Sequence, residues 1–374
     1  MSSDDTTDLE PTDLESTMDA ASLRHAEQVS DELKQKITED ASPFRMLTGD
    51  RPTGNLHLGH YFGSLRNRVE LQNAGVESWL IVADYQVITD RDAVGEIRDR
   101  VYGLVTDYIA VGIDPENAVI FPHSQIPALN ELVLPFLSIV TDSELRRNPT
   151  VKAELDATGG RPMSGLLLTY PVHQAADILF CKANIVPVGK DQLPHLEQAR
   201  VIAQRFDRRY GRAKGAKHPI FPRPQALLSE APSVLGLDGQ KMSKSRGNTI
   251  ELGMTADETA KRLKKAVTDS ERMITYDPVN RPEVSNLVQL TALATGKDPV
   301  EVADEIGNGG GGTLKNVTTE AINEMLAPIR ARRTELENNQ DYVRDVLKAG
   351  IEKANAQAEE TLREVHEALQ MVYL

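Results

Sequence analysis

Four short apolar runs, set apart by segments of helical periodicity, constrain this chain more than any other feature. They are Phe44-Arg45-Met46-Leu47-Thr48, Trp79-Leu80-Ile81-Val82-Ala83-Asp84, Val119-Ile120-Phe121 and Ile185-Val186-Pro187-Val188. Continuous rather than alternating apolarity is what a strand needs when both of its faces are covered, as inside a parallel sheet. Between the runs, Leu58, Tyr61, Phe62, Leu65, Val69 and Leu71 take helical spacing, as do Ile97, Val101, Leu104, Val105 and Ile109 and, later, Leu196, Ala199, Ile202, Ala203 and Phe206. Strand and helix in alternation predict an α/β fold with a doubly wound, Rossmann-like parallel sheet. From Glu251 onward the pattern is helical only, so an all-α domain is expected to follow.

At 374 residues the chain exceeds a single core, since about 150 residues per domain is usual. Residues 1–40 read as an acidic extension, expected to be disordered, although Leu23, Val29, Leu33 and Ile37 give Ala21 to Asp40 the spacing of a short amphipathic helix. An α/β domain over 41–250 with an insertion at about 125–162 follows, then a helical domain over 251–350 and a closing helix over 351–374 that packs back on the chain. Within the insertion, Leu129 to Val140 is either a dimer face or an ordinary core helix. The run Gly309–Gly312 reads as a flexible joint.

No stretch approaches the roughly 20 apolar residues that span a bilayer, and the acidic, polar start does not resemble a secretory leader. Cys181, the single cysteine, cannot form an internal disulfide, and no Cys/His cluster has zinc spacing, so no metal ligands are assigned. These features fit the cytoplasm, with no membrane partner. A net charge of −14 argues against broad nucleic-acid affinity, DNA included, because phosphate contacts need Lys and Arg. Much of that charge is local to the first twenty residues, however, and Arg205, Arg208, Arg209, Arg212, Lys214 and Lys217 form a basic stretch elsewhere.

Gly49-Asp50-Arg51-Pro52-Thr53-Gly54-Asn55 joins the first apolar run to a helix, an arrangement that turns backbone N–H groups and a helix N-terminus toward phosphate. It lacks G-x-G-x-x-G, which disfavours a dinucleotide-binding dehydrogenase. Far downstream, Lys241 and Lys244 stand three residues apart among small hydroxyl residues, between Gly239 and Gly247. Two ammonium groups on such a loop can close on a polyphosphate. Alone, a K-x-x-K loop is usually solvated surface.

Paired in this order, Thr53-Gly54-Asn55-Leu56-His57-Leu58-Gly59-His60 and Lys241-Met242-Ser243-Lys244-Ser245 resemble the HIGH and KMSKS signatures of class I aminoacyl-tRNA synthetases. Over roughly residues 44–372 the chain is similar to the tryptophanyl-tRNA synthetase family. Further similarity lies in Leu168-Thr169-Tyr170-Pro171, Ala175-Ala176-Asp177-Ile178-Leu179, Val186-Pro187-Val188-Gly189-Lys190-Asp191-Gln192, Ala266-Val267-Thr268-Asp269-Ser270 and Ser285-Asn286-Leu287.

The resemblance implies an ATP-dependent ligase that makes aminoacyl-adenylate from L-tryptophan and passes it to tRNA(Trp), with Mg²⁺ accompanying ATP and a homodimer as the assembly. The attacking carboxylate is already ionised at pH 7, so no general base is required and the barrier is lowered by positioning and charge. Catalytic roles fall to His57, His60, Lys241 and Lys244. ATP contacts fall to Arg51, Pro52, Thr53, Gly59, His60, Gly189, Lys190, Asp191, Val234, Lys241, Met242, Ser243, Lys244 and Ser245, with Lys152 as a mobile charge nearby. Tryptophan contacts fall to Tyr170, Gln192, Gln86, Gln174 and Asp177, the last suited to accept the donor-only indole N–H.

Two departures bear on the substrate. Gln86 stands where many bacterial relatives carry histidine and Gln174 where they carry methionine, which resembles a divergent second form of the enzyme with a more polar pocket. Tyr170, Gln174 and Asp177 also reproduce a Tyr-x-x-x-Gln-x-x-Asp spacing found in tyrosyl enzymes, which keeps tyrosine as the alternative substrate. A retired paralogue that uses its acidic extension as a docking arm is the remaining reading.

Overall fold

The structure, a computed structural model, describes residues 20–88, 96–157, 163–211, 219–229, 234–244 and 246–373. Its centre is a five-stranded sheet of β1 (Arg45–Asp50), β2 (Glu77–Val82), β3 (Ala118–Pro122), β4 (Ile185–Val188) and β5 (Gln225–Leu228), all parallel, in the order β3-β2-β1-β4-β5. The doubly wound sheet is therefore as expected. β5 was not legible, because three apolar residues between Pro224 and Ser229 carry no periodic signal.

Strand pleating divides the core in two. Leu80, Val82 and Ile120 point to one side, and Trp79, Ile81, Val119 and Phe121 point to the other. On the first side lie α3 (Ile97–Ala110) and the helical region, made of α6 (Ala256–Lys264), α7 (Pro282–Thr295), α8 (Pro299–Ile306) and α9 (Gly310–Glu337). On the second lie α4 (Gly165–Phe180) and α5 (Leu193–Tyr210). The helix after β1 runs through Leu58–His60 and a π-helical turn at Tyr61–Leu65 into α2 (Arg66–Asn73).

Three sequence expectations need correction. The region 1–40 is not uniformly disordered: α1 (Ala20–Glu39) packs Leu33 and Ile37 against Met46, Ile185 and Leu227, and Ser30 Oγ accepts the Leu228 N–H at 2.9 Å. Residues 1–19 lie outside the described residues. The boundary at 350/351 falls inside α10 (Gln340–Leu369), which buries Val343 and Leu347 in one core and Ala354, Ala358 and Val365 in the other. The run Gly309–Gly312 is no joint: α9 starts there, and Gly310 N donates to Arg272 O at 2.9 Å.

α10 lies on β3 with no side chain between them, since a Cβ added at Gly350 would sit 1.9 Å from Ile120 O. The outer edge of β3 is thus covered by α10, and that of β5 by α1. In the insertion, the expected apolar helix Leu129 to Val140 divides into Pro127–Glu131 and Val133–Leu137, with Leu129, Leu132 and Phe136 in the core and Leu134 70% exposed. Gly159, Gly160 and Arg161, like Arg212, Lys214 and Lys217, lie outside the described residues. The helical region is tied to the sheet by Arg333, which bonds Asp107 on α3, while Asp107 Oδ2 also accepts the Leu56 N–H at 3.3 Å. No helix among the described residues is long and apolar enough to cross a membrane.

Candidate functional site

Strand order reverses between β1 and β4, and an open α/β sheet takes its ligand at the carboxyl ends of the strands at such a point. A cleft of about 810 Å³ lies there. Gly49 and Asp50 of β1 and Val186 to Gly189 form its floor, residues of the His57–Arg68 helix and of α4 its walls, and Val234, Lys241 and Met242 its rim. A cleft of about 830 Å³ between α1, α5 and Glu144–Pro149 holds none of the residues assigned to catalysis, ATP or tryptophan. Position in the fold, not size, marks the site.

At the nucleotide end, Arg51, His57, Gly59, His60 and Gly189 line the cleft with Lys241 and Met242. His60 Nδ1 accepts the His57 N–H at 3.2 Å, so the proton of the neutral ring sits on Nε2. The imidazole centroids lie 3.8 Å apart with the rings tilted at 42°. Burial, helped by His60 and Lys244, pushes His57 down to about 3, and burial likewise lowers His60 against the opposing pull of Asp50. Both rings are neutral donors at pH 7.

Asp50, at the end of β1, is held by Arg68 (2.5 and 3.3 Å) and by the Tyr108 hydroxyl (2.6 Å). Burial would raise its carboxyl, but these donors keep it below the usual range. Sequence reasoning missed Asp50, Arg68 and Tyr108 as a group. The available signal was a charged residue on the buried face of a helix, since Arg68 sits beside the apolar positions Leu65 and Val69.

The lysine loop is clasped to this wall. Met242 Sδ, buried, accepts the Gly59 N–H at 3.3 Å. Lys244, half-buried, approaches the turn before the helix: a Cβ at Gly54, whose φ is +127°, would lie 3.2 Å from Lys244 Nζ. Burial pulls the Lys244 ammonium below its ordinary range, with Glu251 and Asp107 opposing. A desolvated cation of this kind gains most from a phosphate.

The loop's base is held from the helical region, where Asn286 accepts the Leu235 N–H (2.9 Å) and donates to Leu235 O and Gly236 O (3.1 and 3.2 Å). Asn248 Oδ1 accepts the Ser243 N–H at 2.8 Å. Val267 N donates to Leu237 O at 2.8 Å. The segments around Val267 and Asn286, noted in the sequence only for their familiarity, thus acquire a physical purpose. Ser245 lies outside the described residues.

At the other end of the cleft stand Gln86, Gln174, Asp177 and Gln192. Asp177, 3% exposed on α4, meets His123 Nε2 through Oδ1 at 2.6 Å. His123 stacks on His173 at 4.6 Å. Burial works against a charged His123, but the Asp177 carboxylate and the hydrogen bond to it hold the ring above its usual range. Burial lowers His173.

His123, His173 and Asp177 are the cluster among the described residues whose ligating atoms could gather on a metal. The 2.6 Å His123–Asp177 separation is a hydrogen bond, whereas ligands on a tetrahedral zinc stand about 3.4 Å apart. The cluster is a hydrogen-bonded His123–Asp177 pair with His173 stacked on the His123 ring. Sequence reasoning missed His123 and His173, which lie 50 residues apart and meet only because α4 packs across the end of β3.

Several expected contacts do not line the cleft. Tyr170 places its hydroxyl 3.4 Å from His195 Nε2. Lys190 Nζ is 3.2 Å from Glu27 Oε1 of α1. Pro52 is buried and Thr53 exposed on the turn, and Lys152 is exposed. Ser243 joins the loop through its backbone, and Asp191 lies in the turn Lys190–Gln192 that leads into α5.

Known proteins share this layout. Residues 39–327 match the family described as tRNA synthetases class I (W and Y). The chain is 42% identical over 338 residues to a tryptophan–tRNA ligase of Clostridium longisporum, covering 88% of this chain and 97% of that protein. A tryptophan–tRNA ligase of Streptococcus mutans is 41% identical, over 88% and 98% of the two chains. Among solved structures, a tryptophanyl-tRNA synthetase from Campylobacter jejuni complexed with ADP and tryptophan superposes with a TM-score of 0.74 at 30% identity, over 87% of this chain and all of that one.

Proposed function

The chain belongs to the class I tRNA synthetases of the tryptophan and tyrosine branch, and from that premise we propose how its cleft works as a tryptophan–tRNA ligase. It activates L-tryptophan with ATP to tryptophanyl-adenylate and pyrophosphate, then transfers the aminoacyl group to tRNA(Trp). One observation carries the assignment of roles: a neutral histidine pair and Lys241 of the lysine loop face one hollow at the nucleotide end, with Lys244 beside it against Gly54, and a buried carboxylate stands at the far end of the same hollow.

ATP lies along the switch point with its phosphates toward His57, His60 and the loop. His60 donates from Nε2 to phosphoryl oxygens, and Lys241 and Lys244 take up the charge that develops on departing pyrophosphate. The tryptophan carboxylate needs only to be held in line with the α-phosphorus. Arg51, Gly59 and Gly189 line the nucleotide's path, with Lys190 and Asp191 at its margin, while Gln192 serves the α-amino end, with Tyr170 at the margin there, and Gln86, Gln174 and Asp177 serve the indole.

ATP binding is a property of the family, and Mg²⁺ is expected to arrive with it. Asp50 is committed to Arg68 and Tyr108, and Asp177 to His123. Phosphate oxygens and water, rather than these carboxylates, would supply the cation's ligands. Its chemistry is charge neutralisation on the triphosphate. A homodimer is supported by exposed Leu134 beside core-packed Leu132 and Phe136, and the cytoplasm is the setting expected of an enzyme that charges tRNA.

The test is ATP–pyrophosphate exchange with each amino acid in turn. Exchange driven by tryptophan is expected, and exchange driven by tyrosine alone would overturn the reading. Lys244→Ala should slow exchange by about 10²–10³-fold with tryptophan affinity little changed, as for loss of one donor to developing charge. A collapse of tryptophan binding in that variant would make the loop structural instead.

A further inference from the structure

We propose that His123 is a positioning residue for substrate choice: its Nε2 hydrogen bond fixes the Asp177 carboxylate in the orientation that receives the indole N–H. The inference rests on the reading that Asp177 meets the indole.

An aspartate's terminal torsion is soft, so an untethered carboxylate can turn its oxygens through a wide arc. Here Oδ1 is fixed at 2.6 Å from His123 Nε2, in a pair whose side chains are 0% and 4% exposed. A buried carboxylate without a donor is costly, and His123 relieves that cost at the oxygen it bonds. The carboxylate still belongs to the cleft wall. One oxygen is therefore spoken for, and the group's rotation is set by a ring rather than by solvent.

The ring itself is aimed. It follows β3 directly, at the turn His123–Gln125. His173 stacks on it at 4.6 Å and 25°, and Tyr85 lies at 6.3 Å, also at 25°. Asn130 Nδ2 donates to His123 O (3.0 Å) and Ile126 O (2.9 Å), which leaves Asn130 Oδ1 to accept from His173 Nε2 at 2.8 Å. Stacking and this bonded neighbour lock His173, and His173 locks His123. His123 Nδ1 is buried without a hydrogen-bond partner. The ring's polar contact is thus directed at Asp177, and removing it changes the carboxylate before it changes the scaffold.

A tryptophan analogue in which sulfur replaces the indole N–H (3-benzothienylalanine) separates this from a packing role. In the unaltered enzyme, pyrophosphate exchange should favour tryptophan over the analogue by about 10–100-fold in kcat/KM, the range of a hydrogen bond to a charged group. His123→Leu, similar in bulk and without a donor, should raise the tryptophan KM about tenfold, leave the KM for ATP and for the analogue in place, and so erase most of the preference. His123→Gln, which can still donate to Oδ1, should retain it. If His123→Leu does not fold, the same ratio in His123→Asn, too short to reach, against His123→Gln decides the question. Asp177→Ala is the reference. If it erases the preference while the His123 variants keep it, His123 is structural and the proposal falls. If Asp177→Ala keeps the preference, the assignment of Asp177 to the indole falls first.

Discussion

Asn286 lies on α7, outside the cleft, yet its side chain makes three hydrogen bonds to the base of the lysine loop and is 6% exposed. Asn286→Ala removes all three and leaves the Leu235 N–H, the Leu235 carbonyl and the Gly236 carbonyl to find other partners. At about 1 kcal/mol net per bond, the arrangement in which Met242 meets Gly59 loses up to about 3 kcal/mol, and nearer 1.5 if water enters. If chemistry requires that arrangement, adenylate formation should slow by about 10–100-fold, with the tryptophan KM within twofold because the indole end is untouched. Asn286→Asp is the sharper probe. It keeps an acceptor for the Leu235 N–H but turns a second oxygen on two carbonyls, and it should be at least as slow as the alanine variant. Pre-steady-state adenylate formation, read beside thermal unfolding, checks this. A variant that melts earlier but forms adenylate at the normal rate would refute the coupling and leave Asn286 as a purely structural tie.

Other consequences are equally open to measurement. Because His57 is held down at about 3, below its unfolded value of about 6.5, its stabilising contribution is present above pH 6.5 and is lost as pH falls toward 3. His57→Asn should flatten the acid dependence of stability there by up to about 1.4 kcal/mol per pH unit, as read by chemical unfolding at a series of pH values; an unchanged slope would mean His57 is not held neutral. Gly350→Ala should cost about 3 kcal/mol or more, because its Cβ would overlap Ile120 O and only backbone could move; a melting temperature within a degree of the parent's would show that α10 stands off the strand. Gly54→Ala, strained at φ +127° and crowding Lys244, should lower kcat in exchange with little effect on the tryptophan KM, and an effect confined to that KM would argue against the close approach.

Much of the fold was legible because it rests on continuous apolar strands and helical periodicity. Four of five strands and the amphipathic α1 follow from such local signals. β5 did not, since Ala226-Leu227-Leu228 gains its meaning only from β4 and α1 on either side. Both signature loops were readable from residue type and order, and the structure brings His60, Lys241 and Met242 to one cleft. What sequence could not give is the pairing that tunes them. His60's tautomer depends on one backbone N–H, Asp50 depends on an arginine 18 residues on and a tyrosine 58 residues on, and Asp177 meets a histidine from a different strand–helix unit. Such partners are assigned by packing, not by spacing. The division at 350/351 failed for a related reason: one helix serves both cores, so composition does not change where the domains were divided.

The partnership of β3 with α10 sets an order on biosynthesis. The strand is translated by Pro122, but the helix that shields it is Gln340–Leu369, so more than two hundred residues must leave the ribosome before the unpaired amides and carbonyls of that strand lose access to other chains. During that interval the nascent sheet can accept a stray strand, and a C-terminal truncation before Gly350 would make the interval permanent. Damage at the far end of the chain should therefore appear as insoluble protein rather than as a soluble enzyme with impaired kinetics.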